Sequence, residues 1–293
     1  MLPHLYGLLS ALGQNPLLNR LRFTLNNPQQ AFKAHLTPSL STVPQAFFLP
    51  NCLICNAFSN SNQLCKHCDS HLNGDRLDLS RCCIACGIPL EMPVKIARDL
   101  SSPSQTYALH CGQCIQKRPL FTRCTAATRY SDLSAVLVNQ LKHQHRLAAA
   151  IPIASAIVDQ VRAQYAIENQ SQKLPIDLLV PVPLHRNRLR HRGFNQALEV
   201  GRLISKTLEI NLARNHCIRL RDTPAQQQLD LNERKRNLNN AFWASPAVKG
   251  KQIAIIDDVV TTGTTANSVA KALLRVGAHR CDIWCFARTT SPN

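Results

Sequence analysis

The chain has 293 residues, enough for one large domain or two modest ones, and 45% of them are hydrophobic, which excludes a disordered polar segment as its default state. With 34 Lys and Arg against 17 Asp and Glu, the formal charge of +17 favours an anionic partner: nucleic acid, a phosphorylated metabolite or an acidic membrane surface. No apolar run reaches the roughly 18 residues that cross a bilayer, and MLPHLYGLLSALGQ lacks the charged start and cleavage site of a secretory leader, so the cytosol is the expected compartment.

Residues 1–45 are rich in Leu, Asn, Gln and Pro, carry basic but no acidic side chains, and suggest only a short amphipathic helix around Leu5 to Leu12. No function attaches to this extension. Residues 46–124 hold ten of the thirteen cysteines and few long apolar runs, too little to build a core without a staple. In a reducing compartment a disulfide framework is not expected, and Cys-x-x-Cys is the spacing at which a turn presents two thiolates to one metal. Four such pairs occur: Cys52/Cys55, Cys65/Cys68, Cys83/Cys86 and Cys111/Cys114.

Eight thiolates suffice for two tetrahedral zinc ions, and folding of this region should then depend on metal. Sequential sharing, first pair with second and third with fourth, is favoured over an interleaved cross-brace. Cys82 is a substitute for Cys83, and His67 or His71 for a thiolate. Redox dithiols and plain buried cysteines are the competing readings. Cys124, Cys217, Cys281 and Cys285 lie in apolar or strand-like surroundings and are expected in the core.

From about residue 125 to 293 the pattern is that of an alternating α/β domain. Leu133, Val136, Leu137, Gln140 and Leu141 follow helical spacing. DLLVPVPL, Asp177 to Leu184, reads as a strand buried on both faces whose prolines end the ladder. A basic segment follows, with Arg186, Arg188, Arg190 and Arg192 on alternate positions. In an extended chain these would point one way and form a cationic edge suited to pyrophosphate or a nucleic-acid backbone; a solvated basic loop is the bland reading. Gly193 and Asn195 suggest a tight turn into a helix carrying Ala197, Gly201, Ile204 and Leu208 on one face. Arg234, Lys235, Arg236 and Asn237 form a second basic cluster, either site or exposed face.

Ile253 to Ile256 form another buried strand, and it runs into Asp257 and Asp258, two adjacent carboxylates that repel. Thr261, Thr262, Gly263, Thr264 and Thr265 follow. The next helix places Ala266, Val269, Ala270, Leu273 and Leu274 on one side, ends near Gly277 and leads to the strand CDIWCFA. Strands separated by helices imply a parallel sheet with crossover helices, whose ligands sit beyond the carboxyl ends of the strands. There a helix start rich in hydroxyls can hold a phosphate, and the acidic pair can accept from the hydroxyls of a diol. Otherwise Asp258 merely caps the turn. Lys142 can reach this place from a neighbouring helix, although a lone lysine usually faces water.

IIDDVVTTGTT resembles the phosphoribosyl pyrophosphate (PRPP) signature of type I phosphoribosyltransferases. DLLVPVPL, RHRGFNQA, AQQQLDLNERKRNLNNAF and the cysteine pairs resemble the ComF/GntX family, over about residues 46–290. The resemblance implies a zinc finger followed by a phosphoribosyltransferase-like domain. It implies that Asp257 and Asp258 hold the ribose hydroxyls, Thr261 to Thr265 the 5′-phosphate, and the loop after Val182 the pyrophosphate. Candidates in that last stretch are Pro183, Leu184, His185, Arg186, Arg192, Gly193, Asn195 and Gln196.

If the domain is catalytic, magnesium-bound pyrophosphate would leave the anomeric carbon through an oxocarbenium-like transition state. Such chemistry needs positioning more than protein acids or bases. The acceptor is not legible: Tyr130 and Phe194 could stack on a base, though a core role suits each better. Three functions stay open. They are a factor for DNA uptake in natural transformation whose basic surface binds single strands, an orphan phosphoribosyltransferase of nucleotide or amine metabolism, and a PRPP-sensing regulator without turnover. Only 5% of the residues are aromatic, which weakens a stacking platform for single-stranded DNA.

Overall fold

A computed structural model describes residues 51–59, 64–90, 109–168, 174–222 and 241–290. The expected helix at Leu5 to Leu12 and the Arg234 to Asn237 cluster lie outside the described residues. Five parallel strands form the main sheet: β1 (Arg123–Arg129), β2 (Leu178–Pro181), β3 (Asn211–Leu212), β6 (Gln252–Val260) and β7 (Arg280–Arg288), in the order β1-β7-β6-β2-β3. A separate antiparallel ribbon pairs β4 (Cys217–Arg219) with β5 (Phe242–Ala244).

The sheet is covered on both faces. Along β6 the side chains alternate, so Ala254 and Ile256 enter one core with Leu137, Ile157, Val200 and Ile204, while Ile253 and Ile255 enter the other with Val269, Leu273 and Phe242. All four β6 residues from Ile253 to Ile256 are fully buried, the three isoleucines each contributing roughly 2 kcal/mol of transfer free energy. Two short helices, α1 (Lys66–Gly74) and α2 (Gly112–Gln116), precede the sheet; its first face is packed by α3 (Asp132–His143), α4 (Ala150–Glu168) and α6 (Gln196–Leu208), the second by α7 (Thr264–Arg275) and the ribbon. Two strong sheet-forming runs expected from the sequence are therefore β2 and β6, joined in register from Leu178 against Ile253 to Pro181 against Ile256.

Two elements carry little sequence signal. The edge strand β1, RCTAATR, has no long apolar side chain, and the first half of α4 is apolar nearly all round, so neither shows a clear period. The helix predicted from Leu133 to Leu141 is present as α3. Ser131 caps it reciprocally, accepting from Ser134 N while its own N–H donates to Ser134 Oγ at 2.7 Å.

The basic segment departs from expectation. Arg186–Arg192 is a short helix, α5, rather than an extended chain, started by His185 and ended by Gly193 at φ +73°. At about 100° per residue, alternate arginines point to different sides and only positions four apart share a face. Arg188 and Arg192 accordingly turn inward, half-buried, whereas Arg186 and Arg190 face solvent. The single cationic edge of four arginines does not form.

Candidate ligand site at the carboxyl ends of β2 and β6

The connection leaving β2 passes through α5 and α6 on one face to β3, while the connection leaving β6 passes through α7 on the other face to β7. β2 and β6 are neighbours whose connections run in opposite directions. Their carboxyl ends therefore diverge and open a crevice, the place where parallel α/β sheets bind ligands.

Asp257 and Asp258 stand at the β6 side of that crevice. Successive strand positions face opposite sides of a sheet, and each carboxylate curls onto the next amide: Asp258 N donates to Asp257 Oδ1 at 2.9 Å and Val259 N to Asp258 Oδ1 at 2.9 Å. Asp258 is almost fully buried, and its Oδ2 lies 2.8 Å from Lys142 Nζ, an ion pair rather than an aligned hydrogen bond. Lys142 thus leaves the solvent-facing role usual for a lone lysine and supplies the compensation that two adjacent carboxylates require. Burial pushes the Asp257 carboxyl well above the usual range, and the Asp258 charge adds to this while Lys142 opposes it.

Beyond Val260 the chain turns at Gly263, whose φ of +73° lies in the left-handed region that favours glycine. α7 then begins with no side-chain cap from this residue. Thr262 Oγ1 and Thr264 Oγ1 lie 2.7 Å apart, so the two hydroxyls bond each other across the turn. The turn presents small side chains, hydroxyls and the positive end of a helix dipole.

Across the crevice, a cleft of about 600 Å³ is lined by Lys142, His143, His145, Arg188, Arg192 and Asp222, among others. Its character is cationic. The His143 imidazole is held below its usual pKa by burial, Arg192 and Lys142. Arg192 is pulled down by burial and Arg188, while Asp258 opposes this. The cationic cleft and the acidic pair therefore meet at Lys142 and Arg192.

The predicted residues after Val182 divide by role. His185 Nδ1 accepts from Asn187 N at 3.3 Å and so caps α5, and it lies 3.3 Å from Asp222. Asn195 caps α6 by accepting from Ala197 N at 3.0 Å, and its Nδ2 donates to Val182 O at 3.0 Å, fixing the end of β2. Arg192 donates to Gln196 Oε1 at 3.2 Å. Pro183 is buried, and Leu184 lies half-buried at the start of the turn. Phe194 packs against the first core and edge-on to His145, whereas Tyr130 is 41% exposed.

The cysteines gather as two groups of four, Cys52, Cys55, Cys65, Cys68 and Cys83, Cys86, Cys111, Cys114, with all ligand atoms of a group within 4.8 Å of one another. The grouping is sequential, first pair with second and third with fourth. Cys55 and Cys65 sulfurs are 3.7 Å apart and Cys86 and Cys111 sulfurs 3.6 Å apart. A zinc–sulfur bond of about 2.3 Å sets tetrahedral edges of about 3.8 Å, so the donor sets fit zinc. Cys82 belongs to the second core instead, and the His67 and His71 rings meet edge-on with centroids 4.4 Å apart. Cys124, Cys217, Cys281 and Cys285 are buried in that core as expected.

No protein-family model matches the chain. DNA utilization protein YhgH of Salmonella typhi is 34% identical over 208 residues, 71% of this chain and 90% of that one. The chain belongs to the ComF/GntX family. Competence protein F of Haemophilus influenzae, another relative, is 29% identical over 247 residues, 83% of this chain and 98% of that one. Among solved structures, a purine phosphoribosyltransferase from Pyrococcus horikoshii aligns at 17% identity and a TM-score of 0.27, over 47% of this chain and 70% of that one. No described helix is long and apolar enough to cross a membrane.

In this ComF/GntX chain the sequence pointed to the acidic pair and to Lys142 as able to reach it, but not to the ion pair between Lys142 and Asp258. Lys142 is the residue whose role only contact reveals, and it yields a direct prediction. Lys142→Met should cost about 3 kcal/mol in chemical denaturation, because it leaves a buried carboxylate without its counter-charge. Adding Asp258→Asn should recover most of that loss. A cycle with no coupling beyond about 0.5 kcal/mol would show that the pair is only an incidental approach.

Proposed function

We propose that this protein binds magnesium PRPP in the β2–β6 crevice and serves DNA uptake or utilization, with phosphoribosyl transfer to an acceptor as a further capacity of the same site. The observation that carries this is the placement of Asp257 and Asp258 at the topological switch point, one turn ahead of a threonine-lined helix start. Ribose hydroxyls would take the place of the Lys142 ammonium at Asp258, so the ion pair opens on binding. The 5′-phosphate would sit over the Thr261 to Thr265 turn.

The freed ammonium, with Arg192 and Arg188, then faces the pyrophosphate in the cationic cleft. Magnesium would be held mainly by the ligand's own oxygens. The relatives named for DNA utilization and for competence support the biological half of the proposal. The cationic cleft supports a single-stranded DNA partner through backbone contacts.

Calorimetric titration with magnesium PRPP tests the first half: one-to-one saturable binding is expected, and no heat with folded, metal-replete protein would overturn it. For the second half, affinity for a single-stranded oligonucleotide should fall steeply with salt, with a logarithmic slope near −0.7 for each phosphate contact. Affinity that is flat with salt, or no binding, would remove DNA as a direct partner. Pyrophosphate release across a panel of bases and amines then separates transfer from sensing.

A further inference from the structure

Arg288, the last residue of β7, is a buried guanidinium that none of the site assignments uses. Its Nε donates to the carbonyl of Cys86 at 2.8 Å. Its Nη1 is shared among the carbonyls of Val260 at 3.2 Å, Thr289 at 3.1 Å and Thr261. One side chain therefore ties a metal-binding knuckle to the two residues that open the β6–α7 turn. A second tie runs alongside it. The N–H of Leu120, six residues after Cys114, donates to Asn267 Oδ1 in the first turn of α7 at 2.6 Å.

These ties belong to the second cysteine group alone. The first group packs elsewhere, with Cys52, Leu53, Cys68 and Leu72 entering the core that holds Leu137 and Leu141. A guanidinium is suited to this task because its planar fork presents five donors in fixed directions, which an ammonium does not. By collecting the Val260 and Thr261 carbonyls on the inner side, it fixes the backbone of the turn and leaves a positive charge behind it.

We propose that Arg288 is a positioning residue for anion binding at the β6–α7 turn, and that metal at Cys83, Cys86, Cys111 and Cys114 holds Arg288 in place. This rests on the sugar-phosphate reading of the turn. The cysteine-rich segment then acts on the ligand site directly, since losing its metal releases the Cys86 carbonyl and with it the strap.

The test compares the full chain with Arg288→Lys, and uses Arg76→Lys, which alters only an exposed pair with Asp159, as a control. Each protein is titrated with magnesium PRPP, assayed for zinc, and followed by amide exchange at Asn267, bonded to Gly263 O, and Thr289, bonded to Val260 O. The lysine variant should keep two zinc ions and a cooperative melt, yet bind magnesium PRPP about tenfold more weakly because the backbone of the turn is no longer held in place. It should also lose protection at both amides. Zinc-stripped wild type should lose the same protection, and stripping the variant should remove no more.

Wild-type affinity and protection in Arg288→Lys would overturn the proposal, as would wild-type protection at these amides that is indifferent to metal. If the variant does not fold, the wild-type metal comparison decides alone. Absence of magnesium PRPP binding in the wild type would sink the functional reading while the exchange comparison still reports on the strap.

Discussion

Stripping metal from the purified protein should unfold the second cysteine group while the parallel sheet survives. This group has almost no core of its own: Cys83, Ala85 and Cys114 are its buried residues, with Cys86, Ile88, Leu90 and Cys111 partly buried around them. Four thiols confined within 4.8 Å also compete for protons. The Cys83 thiol, accepting from Cys86, is pulled down, while that bond and burial push the Cys86 thiol up. A zinc ion replaces the shared proton and lets all four ionise.

Structural zinc in small domains contributes about 10 kcal/mol of apparent folding free energy at neutral pH, more than so small an apolar cluster can supply. About two zinc ions per chain are expected by elemental analysis. On chelation, amides in residues 82–90 and 109–116 should lose protection first. The first group should retain more, because Cys52, Leu53, Cys68 and Leu72 are seated in the main core. Metal-free protein with unchanged protection in both segments would show that the cysteines are structural thiols.

Asp257→Asn should abolish sugar-phosphate binding and at the same time stabilise the fold. Removing a half-buried carboxylate that accepts from a ligand hydroxyl costs a charge-assisted hydrogen bond and leaves the remaining acid alone, a loss of about 100-fold or more in affinity. Stability moves the other way because the folded state raises the Asp257 pKa, through burial first and the Asp258 charge second.

A folded-state pKa above the unfolded value of about 4 means that the native chain binds more protons between the two values. Stability contributed by this carboxyl is therefore present below about pH 4 and is lost as pH rises through the folded value. At neutral pH, well above the unfolded value, that cost is present, and the neutral amide removes it. Thermal melting at pH 7 should rise by at least about 2 °C, the shift that roughly 1 kcal/mol produces in a chain of this size. The difference from wild type should shrink as pH falls toward 4. A variant that binds as tightly as wild type would refute the ribose assignment. One that melts lower at pH 7 would show that the Asp258 N–H bond to Asp257 outweighs the charge.

Local signals carried much of this molecule. Eight of the thirteen cysteines showed their paired spacing because a metal knuckle is a local turn whose ligands are fixed in number and separation. β2, β6, α6 and α7 were legible because each has a strong apolar period and a chemical stop, such as Asn195 at the start of α6 and Gly263 before α7. The acidic pair and threonine turn were legible for the same reason, being contiguous. β1 and the early part of α4 were not, since an edge strand without large apolar residues and a helix apolar all round leave no period to read. The arginine segment was read as extended because alternate spacing fits a strand. His185 and Gly193 cap it as about two turns of helix instead, and of its arginines only Arg188 and Arg192 reach the cleft.

What the sequence determined by itself is the parallel α/β class, the eight metal-type thiols and the place of the carboxylates at a strand end. What tertiary structure decided is every long-range charge and strap: Lys142 against Asp258, Arg192 beside them, and Arg288 between Cys86 and the turn. The physical reason is one of range. Propensity, capping and metal spacing act within a few residues, whereas Lys142 and Asp258 are brought together only because a helix on one sheet face ends above the strand that carries its partner.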